Sequence, residues 1–274
     1  MQKLLLLFTV IFVSYSDYAQ VTPGGSNLIT YKTIDTSHLK MEVIYPPNMK
    51  AQLEYPCIVF FYGGGWLGGT MKQFKPFAQY FAQKGLVCFL ADYRTKEKDG
   101  TTPFESLKDA RSAIRFIRKN AAKFHINEHA IIASGGSAGG HLAAATALVN
   151  GFDEPTDDLS VSCIPNALVL FNPVIDNGPG GYGYERIGEQ YRYFSPLHNI
   201  HKGAPPTIIF LGTKDKLIPT TTMEYFQTVM ERLGSRCELK LYEGQDHGFF
   251  NKKEFVEKTI KEADMFLTSL GYIH

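Results

Sequence analysis

The chain has 274 residues, of which 44% are hydrophobic, 13% aromatic and 20% charged, and its formal net charge is +1. This charge balance argues against a nucleic-acid-binding protein, which usually carries a basic excess or stripe, and the aromatic content excludes a disordered chain. No apolar run reaches the roughly 18–20 residues that a membrane-spanning helix needs. Length and composition therefore predict a folded enzyme or binding domain with a sizeable core.

The N-terminus has the pattern of a secretory signal peptide. Lys3 supplies a positive charge, residues 4–13 are apolar, and residues 14–19 are polar and rich in small side chains. We expect cleavage after Ala19, although Asp17 departs from the small residue usual at that position. The alternative is a buried N-terminal strand. The interpretation predicts an exported protein, periplasmic or secreted, without a lipid anchor, and a single mature domain at residues 20–274.

Short runs of β-branched and aromatic residues predict eight strands, and helical patterns separate most of them. The strands are expected at residues 28–33, 40–45, 57–62, 86–91, 130–134, 167–171, 207–212 and 238–242. No helix lies between the first two, which predicts an antiparallel hairpin at the sheet edge. The later apolar runs are typical of parallel strands that are buried on both faces. The alternation predicts a three-layer α/β fold with a mainly parallel sheet.

The clearest helix has apolar residues spaced three and four apart from Phe104 to Phe124. Thr102 and Glu105 form a capping-box pattern that predicts its start. Two further helices are expected at residues 221–233 and 251–270, each ending before a glycine. Residues 176–201, here called the excursion, are rich in glycine and tyrosine and fit no regular pattern. We expect the excursion to be an irregular surface segment.

Four cysteines bear on the export prediction, because an exported protein meets an oxidising compartment. Cys57, Cys88 and Cys237 fall in apolar, strand-like stretches, and Cys163 precedes another. They show no CxxC spacing, so they predict neither a metal site nor a disulfide scaffold. We expect buried free thiols, while a bridge between Cys57 and Cys88 on neighbouring strands stays open.

A GxSxG sequence at residues 135–139 lies between a predicted buried strand and an alanine-rich helix. This is the context of a nucleophile elbow, a tight turn that exposes a serine hydroxyl at the N-terminus of a helix. There the helix dipole and free N–H groups stabilise a developing oxyanion. Ser137 is therefore the candidate nucleophile. The alternative, a phosphate-binding loop, lacks the Walker ending and the GxGxxG spacing.

Three consecutive glycines, residues 63–65, follow an earlier predicted strand. Glycines at a strand end leave their backbone N–H groups accessible to a substrate carbonyl. A flexible turn is the alternative. The aromatic residues Tyr62 and Trp66 on either side make a mere turn unusual.

The candidate base and acid each follow a late strand. His247 lies after the last predicted strand. Hydrolases with a nucleophile elbow have the chain order Ser…Asp…His, which requires the base at such a late position. His141, four residues after the serine, is expected to be a packed helix residue. Asp215 follows the preceding strand and is the candidate acid, because a carboxylate at a rigid strand end can hold the imidazole tautomer. Asp176 is its rival.

These motifs together resemble the α/β-hydrolase fold, in particular the esterase and lipase group similar to hormone-sensitive lipase and bacterial acetyl esterases. The resemblance runs from about residue 45 to the C-terminus and rests on YGGGW at 62–66, GGSAGG at 135–140 and the ordered late acid and base. It implies a three-layer fold with an antiparallel N-terminal edge hairpin. The site residues that it implies are the triad Ser137, Asp215 and His247 and the oxyanion donors Gly64, Gly65 and Ala138.

Two positions depart from the HGGGW and GDSAGG motifs usual in that group. Tyr62 replaces a histidine that organises the glycine stretch, and Gly136 replaces an aspartate. Residues 20–55 are also too few for the long N-terminal cap helices common in the group. The resemblance therefore implies a minimal cap and an open site, which suits a bulky alcohol such as an acylated sugar chain.

The leading interpretation is a serine hydrolase of short-chain or acetyl esters that forms an acyl-enzyme and needs no metal or organic cofactor. Its substrates would be small-molecule or oligosaccharide esters. An amidase or peptidase similar to kynurenine formamidase and a catalytically silent binding protein are alternatives. No nucleic-acid partner is expected, and the oligomeric state stays open. Candidate substrate contacts are the aromatic residues Tyr62, Trp66, Tyr182, Tyr184, Tyr191 and Tyr193.

Overall fold

One sheet of eight strands organises the computed structural model, which describes residues 21–50 and 52–274. The strands are β1 (Ser26–Ile34), β2 (Ser37–Ile44), β3 (Tyr55–Phe61), β4 (Val87–Ala91), β5 (Ile126–Gly136), β6 (Ala167–Phe171), β7 (Thr207–Gly212) and β8 (Cys237–Tyr242). Their spatial order is β1-β2-β4-β3-β5-β6-β7-β8. The signal peptide expected at residues 1–19 lies outside the described residues.

The first two strands form the antiparallel edge that the sequence predicts. β1 pairs with β2, and β2 pairs antiparallel with β4. The pairs from β3 with β4 through β7 with β8 are parallel. Because the carboxyl ends of parallel strands lie at one edge of the sheet, the loops that follow β3, β5, β6, β7 and β8 gather there. That edge holds Ser137, Asp215 and His247.

Helices cover both faces of the sheet and complete the predicted three-layer α/β fold. α1 (Lys75–Gln83) and α9 (Lys253–Ser269) pack on one face, around Phe77 and Phe266. On the other face lie α3 (Pro103–Lys119), α5 (Ala138–Leu148) and α8 (Thr220–Arg232), around Ile114, Leu142 and Phe226. Within the described residues no helix precedes β3. None of the helices in this part of the chain is long and apolar enough to cross a membrane. The shorter helices are α2 (Lys96–Asp99), α4 (Ala121–Phe124), α6 (Tyr184–Ile187) and α7 (Tyr191–Phe194), with 3₁₀ turns at Met71–Phe74, Gly188–Gln190, Pro196–Asn199 and Phe249–Asn251.

α3 begins where its sequence predicts but ends earlier. Glu105 accepts a hydrogen bond from the N–H of Thr102 at 3.0 Å, as the capping box requires. The apolar stripe continues to Phe124, yet Asn120 interrupts the helix with φ −104° and ψ 20°. Phe124 remains buried in the core because the chain resumes with one further turn, α4.

The excursion is more ordered than the sequence predicts. It contains α6, α7 and two of the 3₁₀ turns, and its Ile187 and Phe194 are buried. The ring of Phe194 packs on His141 of α5 with centroids 4.3 Å apart, and on Phe104 of α3 at 5.1 Å. The expectation of an irregular surface segment is therefore wrong, because aromatic packing ties the excursion to the core.

All four cysteines are buried and free, as the sequence favours. In the pairing of β3 with β4, Cys57 lies opposite Val87 and Cys88 lies opposite Ile58. Because successive side chains of a strand alternate between faces, the two thiols point to opposite sides of the sheet. A Cys57–Cys88 bridge is thus excluded, and burial raises the pKa of both thiols.

Candidate active site

Ser137 lies at the turn between β5 and α5. Its φ of 53° and ψ of −118° are values that residues with side chains rarely adopt, and such strain is typical of a nucleophile elbow. The turn is possible because Gly139 lacks a side chain: a Cβ atom there would lie 2.1 Å from the carbonyl oxygen of Phe61. The Ser137 side chain consequently stands at the N-terminus of α5, where the helix dipole favours negative charge.

Gly136 is the departure from the motif next to the serine, and aromatic packing accounts for it. A Cβ atom on Gly136 would lie 2.5 Å from Cζ of Phe250 and 3.3 Å from Cζ of Phe74. The two rings stack with centroids 5.6 Å apart. They fill the space that a side chain at this position would need. Phe250 follows His247 by three residues, so this packing also anchors the loop that carries the histidine.

Ser137, His247 and Asp215 come from three strand ends and are in hydrogen-bond contact. Oγ of Ser137 is 2.8 Å from Nε2 of His247, and Nδ1 of His247 is 2.7 Å from Oδ2 of Asp215. The Asp215 side chain is fully buried, and its Oδ1 accepts hydrogen bonds from the N–H groups of Leu217 and Ile218 at 2.9 and 3.0 Å. In the tautomer that carries its proton on Nδ1, His247 donates a hydrogen bond to Oδ2 of Asp215. The Nε2 lone pair is then free to accept the hydroxyl proton of the serine.

Two alternatives that the sequence offers have other partners. Asp176 accepts a hydrogen bond from the N–H of Gly178 at 2.8 Å. His141 is buried, its Nε2 lies 3.1 Å from the carbonyl oxygen of Phe194, and burial lowers its pKa to about 3. A neutral imidazole inside the core is a packing residue, as expected. Neither side chain belongs to the hydrogen-bonded set at Ser137.

Asn172, directly after β6, is a site residue that the sequence reasoning missed. It is buried, with a φ of 34°. Its Oδ1 accepts a hydrogen bond from the N–H of Gly248 at 3.2 Å, which orients the amide so that Nδ2 faces Nε2 of His247 at 3.5 Å. Asn172 thus holds the loop of the histidine. The sequence feature that could have identified Asn172 is a polar residue directly after a predicted buried strand.

Residues 62–69, here called the glycine loop, lie beside the serine. A Cβ atom on Gly63 would be 3.3 Å from Cβ of Ser137. The N–H of Gly63 donates to Oε1 of Gln73 at 2.7 Å, so it is occupied. Within residues 21–50 and 52–274, no protein acceptor takes the three N–H groups that the resemblance assigns to the oxyanion, those of Gly64, Gly65 and Ala138.

The expectation that Tyr62 and Trp66 contact substrate is wrong. Tyr62 is 2% exposed, its hydroxyl donates to Oδ1 of Asp92 at 2.8 Å, and its ring stacks on Tyr93 with centroids 4.3 Å apart. Trp66 is 1% exposed and packs on His141 with centroids 5.1 Å apart. Because these side chains are enclosed by protein, they hold the glycine loop in place and offer no face to a ligand.

The tyrosines of the excursion differ in their surroundings. Tyr182 is half-buried, and its hydroxyl lies 2.7 Å from where a Cβ atom of Gly65 would be, so it rests against the glycine loop. Tyr184 and Tyr191 are half-buried, and their ring centroids lie 6.0 Å apart. Tyr193 is 64% exposed. Tyr182 is therefore the one of the four with a contact to the glycine loop that lies beside the serine.

Two protein-family models match the chain. The BD-FAE model matches residues 41–177, half of the chain, and the Dienelactone hydrolase family model matches residues 182–268. Ser137 falls within the first match, and Asp215 and His247 fall within the second. The two matches together therefore contain the hydrogen-bonded set.

Known esterases are similar to this chain in sequence and structure. The apo form of Thermogutta terrifontis esterase 2 has a TM-score of 0.88 and 39% sequence identity, over 93% of this chain and 98% of that chain. The acetylxylan esterase of Xylanibacter ruminicola is 26% identical, over 80% of this chain and 45% of that protein. A probable isoprenylcysteine alpha-carbonyl methylesterase of Arabidopsis thaliana is 24% identical, over 86% and 56%. The chain spans about half the length of these two curated relatives.

Proposed function

The chain belongs to the α/β-hydrolase esterases, and from this premise we propose that it cleaves carboxylic esters with Ser137 as the nucleophile. The observation that carries the proposal is the contact of Ser137 with His247, and of His247 with the buried Asp215. A strained serine at a helix N-terminus, next to a base that a carboxylate orients, is the arrangement that acyl transfer needs.

Acylation begins with Nε2 of His247 as the general base. As Oγ of Ser137 attacks the ester carbonyl carbon, its proton passes to Nε2, and the carbonyl oxygen becomes negatively charged. The N–H groups of Gly64, Gly65 and Ala138 stabilise that charge. The tetrahedral intermediate then expels the alcohol, which takes the Nε2 proton, and the acyl group remains on the serine. Asp215 stays ionised and stabilises the transient imidazolium.

Deacylation repeats these steps with water as the nucleophile. His247 takes a proton from the water as its oxygen attacks the acyl carbon, and the charge again develops at the same N–H groups. The intermediate expels Ser137, which recovers its proton from Nε2, and the carboxylic acid leaves. The cycle adds one water across the ester bond.

The described residues contain no group of three or more His, Cys, Asp or Glu side chains placed to hold a metal ion.

For the substrate we propose short acyl groups, acetyl above all, on carbohydrate alcohols. The similarity to an acetylxylan esterase supports this choice. The minimal cap supports it too, because no helix precedes β3 among the described residues to cover the site. Tyrosine rings in the excursion supply flat faces with one hydroxyl each, which suit a sugar ring. The methylesterase relative makes a small alcohol the alternative.

A substrate panel tests both parts of the proposal. We expect the protein to hydrolyse p-nitrophenyl acetate and butyrate, to release acetate from acetylated xylo-oligosaccharides, and to leave the matching p-nitroanilides intact. A fluorophosphonate probe should label the wild-type protein and not Ser137→Ala. Absence of both labelling and ester hydrolysis would contradict the serine mechanism. Hydrolysis of simple esters without any release of acetate from the oligosaccharides would overturn only the carbohydrate part.

Export remains part of the proposal, with residues 20–274 as one mature domain. The charged start and apolar stretch of residues 1–19 support it. Expression of the full chain in a bacterial host, followed by mass spectrometry of the exported protein, tests the idea. We expect a mature N-terminus at Gln20. Protein that stays in the cytoplasm with residues 1–19 still attached would contradict export.

A further inference from the structure

Hydrogen bonds anchor the glycine loop along most of its length. The N–H of Leu67 donates to the carbonyl oxygen of Gly64 at 3.0 Å. At the far end, the N–H groups of Lys96 and Glu97 donate to the carbonyl oxygens of Trp66 and Leu67 at 3.1 and 2.9 Å. These anchors come from the loop itself and from α2. Gly65, between these positions, is held by a side chain instead.

Arg186 of α6 provides that anchor from 121 residues away in the sequence. Its Nη1 donates to the carbonyl oxygen of Gly65 at 2.6 Å, a charge-assisted hydrogen bond. The guanidinium lies 5.7 Å from the ring centroid of Trp66 and 5.0 Å from that of Tyr182, and Nε donates to Glu185 at 2.8 Å. Only 21% of the Arg186 side chain is exposed, because these groups surround it and restrict its position.

We propose that Arg186 is a positioning residue for the oxyanion hole: it fixes the carbonyl group of Gly65 and thereby restrains the N–H on the other side of the same Cα, which faces the ester carbonyl. Gly65 has a φ of +64°, and glycine moves easily between backbone conformations. Two peptide planes meet at its Cα. The plane that carries the N–H of Gly65 is restrained by the bond from Leu67 to the carbonyl oxygen of Gly64. The bond from Arg186 fixes the other plane, so that Gly65 cannot rotate between the two. The inference rests on the proposed esterase function and adds to it a residue outside the sequence motifs.

The contribution of such an anchor is specific to the transition state. Negative charge develops on the carbonyl oxygen only as Ser137 attacks, so a misplaced N–H slows acylation more than it weakens substrate binding. Loss of one oxyanion donor costs about 10²–10³-fold in rate, and a shift of about 1 Å can cost about 10²-fold. We therefore expect Arg186→Gln to lower kcat/KM for a simple ester by about 10- to 100-fold.

The test compares an oxygen ester with its thionoester, in which sulfur replaces the carbonyl oxygen. Sulfur is a weak hydrogen-bond acceptor, so an intact oxyanion hole favours the oxygen ester. kcat/KM is measured for p-nitrophenyl acetate and p-nitrophenyl thionoacetate with the wild type, Arg186→Gln, Arg186→Lys and Arg192→Gln. Arg192 is the matched control, because it lies in the same excursion and 65% of its side chain is exposed.

We expect Arg186→Gln to lower the ratio of the two kcat/KM values by about fivefold or more, with Arg186→Lys in between. Arg192→Gln should stay within about twofold of the wild type, as surface substitutions usually do. A loss of folded protein lowers both rates equally and leaves the ratio unchanged. An unchanged ratio in Arg186→Gln therefore overturns the positioning role. A wild type without activity on either ester would instead overturn the proposed function.

Discussion

Ser137 combines the proposed nucleophile with a strained backbone, and the two can be separated by substitution. Ser137→Ala removes Oγ, the atom that forms the bond to the acyl group in the proposed mechanism, and keeps the rest of the turn. We expect a folded protein whose ester hydrolysis falls by about 10⁵- to 10⁶-fold, as for other triad nucleophiles. Single-turnover kinetics with p-nitrophenyl acetate measures the loss. A burst of p-nitrophenol from the variant would show that another residue is acylated.

Ser137→Gly separates the strain from the chemistry. The φ of 53° and ψ of −118° cost a residue with a side chain about 1–3 kcal/mol, and glycine adopts them freely. Glycine also gives the unfolded chain more freedom, which offsets about 0.4–1 kcal/mol. We expect Ser137→Gly to be as inactive as Ser137→Ala but about 1 kcal/mol more stable in urea unfolding. Equal stability of the two variants would show that the elbow stores no strain.

Asp215 is proposed to set the tautomer of His247 through its 2.7 Å contact with Nδ1, and Asp215→Asn tests that role. The amide NH₂ of an asparagine would face Nδ1 and require a lone pair there, so Nε2 would carry the proton and could not accept one from Ser137. We expect kcat to fall about 10⁴-fold, as the same substitution does in a Ser-His-Asp protease. Asp176→Asn is the matched control, because Asp176 bonds to Gly178 instead. The reverse result would identify Asp176 as the acid.

At the scale of the element, His141 of α5 couples the glycine loop to the excursion. Its ring packs between Trp66 and Phe194, and burial lowers its pKa to about 3, compared with 6.5 for an unperturbed histidine. Between about pH 6.5 and 3 the unfolded chain therefore binds a proton that the native protein does not. In that window the free energy of unfolding decreases as the pH falls.

His141→Gln removes this titration and keeps an amide that can donate to the carbonyl oxygen of Phe194. We expect the free energy of unfolding of the wild type to fall between pH 7 and pH 4.5 by about 2–3 kcal/mol more than that of the variant. Urea unfolding at several pH values gives both curves. Parallel curves would mean that His141 is already protonated in the native protein or is not buried.

Strands and helices with a strong local sequence pattern can be predicted from the sequence. β6 and β7 have the expected bounds because each is a continuous apolar run, buried on both faces. The helical turns of the excursion could not be predicted in this way, because each has at most four residues. A single turn is too short to show a hydrophobic periodicity in the sequence. The burial of Phe194 depends on contacts with Phe104 and His141, which are far away in the sequence.

At the scale of the whole molecule, the parallel strands bring distant residues to one edge of the sheet. The contact of Ser137, Asp215 and His247 was predictable, because chain order and strand ends place them there. The contacts of Asn172 and Arg186 were not, since they depend on how loops fold over that edge and follow no sequence period. The sequence thus predicts the proposed catalytic residues better than the residues that position their loops.

A bulky ester is expected to reach that edge of the sheet along the excursion. Tyr184 and Tyr191 lie in the excursion, whose chain follows β6 at the carboxyl edge of the sheet, and we expect their rings to contact the alcohol part of a bulky ester. Tyr184→Ala and Tyr191→Ala should raise KM for acetylated xylo-oligosaccharides about 10-fold, the effect of losing one aromatic contact of about 1.4 kcal/mol. p-Nitrophenyl acetate is too small to reach these rings, so its kinetics should change little.

Tyr225 of α8 offers the matched control for these two variants, because it is 60% exposed on a helix outside the excursion. Tyr225→Ala should leave KM for both substrates unchanged. Equal losses on the large and the small ester would indicate that the excursion has collapsed and disturbed the Arg186 anchor. Unchanged KM values in the Tyr184 and Tyr191 variants would mean that the rings only pack against each other, and the alcohol of the substrate would then have to approach Ser137 from another side of the glycine loop.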